Sequence, residues 1–213
     1  MEIENFSKKN KNFEFIFLDN ASDDGTTEFL KEREKKNIQN FKFIFNNSNL
    51  GKGGSVKEGI KVSNSKIAAI FDIDEYKLED LEFGIKKFVE NNLSLSIGSR
   101  LIEKKKFIYK KNYYGVVYLT KLINILFSCR LTDAAGAIKI FNIGDYKNMK
   151  IETNGFDFEF ELICKFASKK LKIGEFPSDY SPRTFQEGKK LNAVYDGTKI
   201  FIVIIKNFFK KFK

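Results

Sequence analysis

The sequence predicts an α/β fold, a parallel sheet flanked by helices, on three observations. Short apolar runs rich in Phe and Ile alternate with amphipathic stretches of helical period, the pattern of strand–helix repeats. Several runs end in turns bearing Asp, Gly or Ser, and the loops at the carboxyl ends of parallel strands are where such sheets build binding sites. The length of 213 residues, with 42% hydrophobic and 31% charged residues, suits one globular domain that buries about 70% of its unfolded surface.

The first run, Phe13 to Leu18 (FEFIFL), is a strand by its β-favouring aromatics. It stops at Asp19-Asn20-Ala21-Ser22-Asp23-Asp24-Gly25-Thr26, a cluster of turn and helix-capping residues that leads into a charged helix from Thr27 to Lys36. Phe41 to Phe45 repeats the strand pattern, and NLGKGG then opens a short helix placed at Ser55 to Val62. A third strand, Ile67 to Asp72, leads into two carboxylates one residue apart, Asp72 and Asp74. Leu78 to Asn91 has the period of an amphipathic helix, and Leu93 to Ile97 is a strand leading into Gly98-Ser99-Arg100. The basic Lys104-Lys105-Lys106 precedes a helix rich in Tyr, Leu and Ile from Tyr113 to Phe127. Ile138 to Phe141 is a strand, and Phe156 to Ser168 a helix carrying Glu159 and Glu161. After Gly174-Glu175-Phe176-Pro177 comes a polar, basic loop, SPRTFQEGKKL. The last segment, Thr198 to Lys213, is an apolar helix punctuated by Lys199, Lys206, Lys210 and Lys211. The expected organisation is one domain over residues 1–197 and a basic amphipathic helix over 198–213.

Composition narrows the chemistry. Histidine is absent, so there is no Ser-His-Asp triad, Cys-His dyad or imidazole ligand, and catalysis falls to carboxylates, Lys, Tyr or a metal. Cys129 and Cys164 form no CxxC motif and sit among apolar residues, as buried free thiols of a reducing cytoplasm do. A net charge of +10 suits an anionic partner: nucleic acid, anionic lipid or a phosphorylated substrate. Heavy use of Phe, Lys, Asn and Ile is also what an AT-rich genome produces, which discounts the charge as evidence. The basic residues are spread along the chain with no RNA-binding or helix-turn-helix pattern, so nucleic acid is not expected as a partner. No window reaches about 18 uninterrupted apolar residues, and MEIENFSKKNKN lacks the apolar core of a signal peptide. The chain is therefore expected in the cytoplasm, spanning no membrane.

Each candidate residue has a functional and a plain structural reading. Asp72 and Asp74, at the end of a buried strand, suit a divalent cation that in turn holds phosphates, or simply satisfy backbone donors in a turn. Lys52 and the glycines around it form a phosphate-facing helix start, or a solvated lysine in a packing turn; the spacing is not that of a P-loop. Asp19 is a ligand contact or a helix cap.

Taken in order, these segments resemble the glycosyltransferases of family two, with the GT-A fold, and especially the branch of dolichol-phosphate mannose synthase and the polyprenyl-phosphate glycosyltransferases. FLDNASDDGT looks like the family's nucleotide-contacting strand end, NLGKGGSVKEGI like its N-x-G-K-G-x-A helix start, and FDID like its metal-binding DxD. IGSR, LTDAAGAIKIF, FDFEFELICKFA and DYSPRTFQEGKKLNAVYDG follow in the family's order, the last being the most specific. The resemblance runs from about Phe13 to Gly197, so the expected GT-A sheet lacks the usual first strand and helix. Glu75-Tyr76 follow Asp74 without the usual apolar spacer, and Ala135 stands where many relatives carry a polar or acidic residue.

The resemblance implies a metal-dependent, inverting transfer of a sugar from a nucleoside diphosphate to a polyprenyl (dolichyl or undecaprenyl) phosphate, for cell-envelope glycan synthesis. It implies that Asp19, Asn20, Lys52 and Asp72 contact the donor and that Asp72 and Asp74 hold Mg²⁺ or Mn²⁺. Arg100, Lys139, Arg183 and Lys189 would contact donor or acceptor phosphates; the plain reading has the arginines bridging surface carboxylates and Lys189 solvated. If the acceptor were a hydroxyl, Asp133 would be the first candidate to take its proton and Glu161 the second, with a structural ion pair as the other reading of Glu161. The basic aromatic segment from Lys104 to Phe127 and the C-terminal helix are expected either to lie on the inner face of an anionic membrane or to serve core packing. A catalytically silent relative acting as an interaction module is the alternative function.

Overall fold

Phenylalanine-rich strands pair in parallel in the first of two units, Met1–Ser65 with Thr153–Gly155; the second is Lys66–Glu152 with Phe156–Lys213. The computed structural model describes residues 2–73, 75–103, 110–179 and 193–211. In the first unit β1 (Phe15–Asp19) lies beside β2 (Phe41–Phe45), with Phe15 opposite Phe41 and Asp19 opposite Phe45. Phe17 stacks on Phe43 at 5.0 Å between ring centres and tilts against Phe41 at 5.1 Å, the cross-strand aromatic pairing that stabilises a pleated surface.

Helix α1 (Glu2–Lys9) was not predicted. Glutamates in its first turn and lysines in its last complement the helix dipole, but eight residues are too few to hold a helix without tertiary contacts. Those contacts are Phe6, edge-on to Phe13 at 5.7 Å, and Glu4, paired with Arg33 of α2 (Thr26–Glu34). Helix α3 (Gly51–Val62) starts earlier than the expected Ser55. Gly51 adopts φ +74°, a left-handed conformation open to glycine at little cost, and a Cβ there would collide with the Asn154 carbonyl.

The second unit runs β3 (Ile67–Ile70), α4 (Leu78–Glu90), β4 (Leu95–Ser99), α5 (Lys110–Phe127), β5 (Lys139–Asn142), α6 (Ile143–Lys147), α7 (Asp157–Ser168), β6 (Ile173–Pro177) and α8 (Ala193–Lys210). Its sheet has the order β3-β5-β4-β6. The expectation of a parallel sheet holds for β4 with β6, but β5 runs antiparallel to both β3 and β4. The cause is local: Asp133 is held by Arg100 just beyond the carboxyl end of β4, so the chain enters β5 from that end and must run back along its neighbour. Strand β6 was not assigned from the sequence because its Gly174 and Pro177 carry no strand signal. It sits at the sheet edge, where a missing proline N–H leaves no ladder bond unmade.

Strand β4 is buried at every position, and α7 buries residues all round its circumference, as a central helix does. Helix α8 packs on α7 and α5 through Ile200, Val203, Ile204 and Asn207, and Phe208 meets Phe127 edge-on at 6.1 Å. It begins before the expected Thr198.

Candidate functional site

At the carboxyl end of β1, Asp19 is 2% exposed and serves as a hydrogen-bond hub. Its carboxylate accepts the Thr27 hydroxyl at 2.6 Å and the Ser22 N–H at 3.3 Å. Burial pushes its carboxyl up, but the bonds from Ser22 and Thr27 outweigh that and hold it below the ordinary aspartate range. Asn20 ties together three segments. Its Oδ1 accepts the Leu50 N–H at 2.9 Å and Asn46 Nδ2 at 3.3 Å, while its own Nδ2 donates to Asn49 Oδ1 at 2.7 Å. Asn49 Oδ1 also accepts the Gly51 N–H at 2.9 Å, and Asn46 donates to Ser55 Oγ at 3.2 Å. This amide network fixes the start of α3, with Lys52 in its first turn and Gly53, Gly54 and Ser55 buried behind it. Gly54 donates to the Asn154 carbonyl at 3.0 Å, and Lys57 Nζ reaches Asn154 Oδ1 at 2.8 Å. Asn46, Asn49, Thr27 and Asn154 were not singled out in the sequence. The only signal was asparagine density around NLGKGG; the role of Asn154 comes from a distant segment.

In the second unit Asp72 follows β3 in a turn whose main chain is closed by Glu75 and Tyr76, both donating to the Asp72 carbonyl (3.1 and 3.2 Å). Carboxylates alone are an oxygen donor set for a hard cation such as Mg²⁺ or Mn²⁺, which one or two carboxylates plus substrate oxygens complete. Asp74, Arg183 and Lys189, and with them Lys104 to Lys106, lie outside the described residues.

The structure brings Arg100 and Asp133 together. The guanidinium grips the fully buried carboxylate through Nε to Oδ2 (2.6 Å) and Nη2 to Oδ1 (2.8 Å), and the Arg100 and Ala135 N–H groups add bonds of 3.1 Å each. Burial would raise the Asp133 carboxyl, but Arg100 dominates and holds it low. A carboxylate so saturated with donors is a poor proton acceptor, which removes the physical ground for Asp133 as the base. Lys139, expected at a phosphate, is fully buried instead: its ammonium donates to the Gly136 carbonyl and lies 3.7 Å from Glu159. No substrate phosphate reaches a lysine in that position, so its work is to anchor the loop into β5. Gly136 itself presses against the Gly98 carbonyl, where a Cβ would overlap. Glu161, also buried, accepts the Glu152 N–H at 3.0 Å, a structural bond rather than an open base; burial, then its charge, push the Tyr146 phenol up.

Glu175 on β6 was not singled out either. Its carboxylate accepts the Thr132 N–H (2.7 Å), the Thr132 hydroxyl (3.0 Å) and the Asp133 N–H (2.9 Å). Burial raises its carboxyl more than those bonds lower it.

The family model described as Glycosyl transferase family 2 matches residues 3–150. The chain belongs to glycosyl transferase family 2. Dolichyl-phosphate beta-glucosyltransferase of Saccharomyces cerevisiae is 26% identical over 217 residues, covering 91% of this chain and 63% of that protein. The enzyme of the same name from Dictyostelium discoideum is 33% identical over 126 residues, 51% of this chain and 38% of its own length. A low-salt glycan biosynthesis hexosyltransferase of Haloferax volcanii is 26% identical over 111 residues, 27% of its length. The chain therefore spans less than two thirds of each of these three relatives. Among solved structures, glucosyl-3-phosphoglycerate synthase of Mycobacterium tuberculosis, crystallised with Mn²⁺, UDP-glucose and phosphoglyceric acid, superposes with a TM-score of 0.64 at 11% identity, over 91% of this chain and 68% of that one. At that identity the likeness establishes the fold, which is GT-A.

Proposed function

We propose that this family 2 chain moves a hexosyl group from a nucleoside-diphosphate sugar to a polyprenyl phosphate, with inversion at the anomeric carbon. The observation that carries the reading is the family match, which runs through both the Asp19 and the Asp72 strand ends, with dolichyl-phosphate glucosyltransferases among the relatives. Asp19 and Asn20 shape the strand end to which this reading assigns the base or ribose: the buried Asp19 carboxylate orders the turn holding Ser22 and Thr27, and Asn20 fixes the start of α3. At the start of α3 the Leu50, Gly51 and Gly54 N–H groups are already bonded, so what this end offers a diphosphate is the positive end of the helix dipole and the Lys52 side chain. Asp72 and Asp74 would hold Mg²⁺ or Mn²⁺, which when bound would offset the charge of the departing diphosphate. The acceptor phosphate oxygen forms its bond to the anomeric carbon from the face opposite the diphosphate, whose oxygen leaves with the electron pair. A phosphate acceptor is already anionic at neutral pH, so the saturation of Asp133 by Arg100 costs the reaction nothing. Asp133 instead orients Arg100, and to Arg100, with Arg183 and Lys189, this reading gives the binding of the acceptor phosphate.

A peripheral membrane contact fits such an acceptor. Tyr114, Tyr118, Lys121 and Ile125 stand exposed on one face of α5, a helix without an acidic residue, and Tyr195, Lys199, Ile202, Lys206 and Phe209 on one face of α8. Aromatic rings with lysines between them suit an anionic lipid surface. No described helix is long and apolar enough to cross a membrane.

Thermal unfolding with UDP, GDP and their sugars, with and without Mn²⁺, tests the donor assignment. The expected result is a metal-dependent rise with one nucleotide, lost in Asp74→Ala. No rise with any donor from a folded sample would favour the silent interaction module.

A further inference from the structure

The segment from the end of α5 into β5 is tied at almost every residue. The Asn124 side chain exchanges bonds of 2.8 and 2.9 Å with the Leu131 main chain, Thr120 Oγ1 accepts the Ala134 N–H at 3.0 Å, and the Tyr76 hydroxyl accepts the Ala137 N–H at 3.2 Å. These ties hold the two ends and the middle of the loop. Glu175 does something different, because its two oxygens receive the consecutive N–H groups of Thr132 and Asp133.

Its third bond extends its reach. Leu101 N–H donates to Ser99 Oγ at 3.2 Å, and the Thr132 hydroxyl donates to Glu175. Each hydroxyl has one proton, and Thr132 has already committed its own. In the 2.7 Å contact between Ser99 and Thr132 the donor is therefore Ser99. The bonds run in one direction, Ser99 to Thr132 to Glu175, and end on a carboxylate. Glu175 thus holds the main chain of Asp133 directly and, through two hydroxyls, the residue that precedes Arg100.

We infer that Glu175 is a positioning residue of the acceptor side of this site: it sets the angle at which Asp133 holds Arg100. The carboxylate on the edge strand fixes the loop, the loop carries Asp133, and Asp133 takes both Nε and Nη2 of the guanidinium. A group that acts at one remove in this way changes the precision of a contact rather than its existence. The acceptor part of this inference rests on the reading of the chain as a polyprenyl-phosphate transferase; the geometric part does not.

Two substitutions separate positioning from general stability. Glu175→Gln places an amide N–H₂ against a main-chain N–H, and Thr132→Val removes the hydroxyl link while keeping the side chain's shape; Thr132→Ser restores the hydroxyl. The first readout needs no acceptor: hydrogen exchange of the Arg100 Nε–H in ¹⁵N-labelled protein. It should be slow in the unaltered chain, about tenfold or more faster in Glu175→Gln and Thr132→Val, and slow again in Thr132→Ser. The second is transfer to a short-chain polyprenyl phosphate, where Glu175→Gln should raise the acceptor KM about tenfold and leave the donor KM unchanged. Unchanged Arg100 exchange in folded Glu175→Gln overturns the inference, and so do donor and acceptor KM values that rise together. If Glu175→Gln does not fold, the Thr132 pair decides by the same exchange measurement. Absence of transfer with any acceptor, alongside altered Arg100 exchange, would sink the transferase reading and leave the positioning role standing.

Discussion

Asp19 and Asp133 are both buried aspartates beyond or at a strand end, yet the two units satisfy them with different chemistry. Asp19 is held by a hydroxyl and an N–H group, with an amide network beside it. Asp133 is held by a guanidinium fork and two further N–H groups, with the buried Lys139 ammonium adding to the field. Neutral donors satisfy a carboxylate without cancelling its charge, whereas Arg100 neutralises Asp133 outright. The first arrangement orders the turn at the end of β1 through neutral groups and leaves the negative charge in place. The second suits a place where anions are handled and a cation must be kept at a set angle. The strands differ in the same sense: β1 and β2 are largely half-exposed, while β4 is wholly buried.

From that contrast, the largest effect belongs to Asp133. Asp133→Asn leaves Arg100 without its counter-charge and should cost about 3–5 kcal/mol in urea unfolding, much of it recovered by adding Arg100→Leu. No recovery in the double variant would show that the stranded Arg100 charge is not what destabilises the chain. Asp19→Asn keeps one acceptor and loses one, so about 1–2 kcal/mol is expected by the same measurement. A loss as large as that of Asp133→Asn would erase the distinction between the units. Gly51→Ala should cost about 1–2 kcal/mol, from its left-handed conformation and its closeness to Asn154. It should also speed amide exchange at Gly54, whose N–H is bound to that carbonyl.

Acid titration sharpens the comparison. Asp19 and Asp133 are both held below the ordinary range, so their contribution is full above the unfolded value and is lost as the pH falls through the lower folded value. Glu175 has the opposite sign: its raised carboxyl favours the fold below the unfolded value, and that contribution fades as the pH rises through the folded value. As the pH falls from neutral into the acid range, Asp133→Asn and Asp19→Asn should each flatten the fall in melting temperature, because each removes a carboxylate held below its ordinary range. The smallest effect is at Glu152, an exposed carboxylate held down to about 2 by Lys210 and Lys206 of α8. Glu152→Gln should lower the melting temperature only slightly at neutral pH, and the gap should close as the pH falls through that value.

Much of this was legible in the residues. The strand from Phe41 to Phe45 and the helix starting at Leu78 fell where the apolar period placed them, because each has a strong pattern and clear turn residues on both sides. The early start of α3 was not legible: it depends on Asn49 and Asn20 supplying acceptors to N–H groups that a glycine-rich sequence leaves open. Helix α1 and strand β6 were missed for a related reason. The first is too short to signal itself, and the second contains Gly174, which weakens a strand pattern, and Pro177, which an edge position tolerates.

By itself the sequence determined the α/β class, the exclusion of histidine chemistry and the order of motifs that marks the family, because these reside in composition and spacing along one chain. Only the tertiary structure decided that β5 reverses, that Lys139 is buried against Gly136 and Glu159, that Arg100 is engaged by Asp133, and that Glu175 holds the loop between them. Except for Lys139 and Gly136, those partners are distant in the chain, and whether a charged side chain meets solvent, substrate or a buried counter-charge is set by what the fold brings beside it.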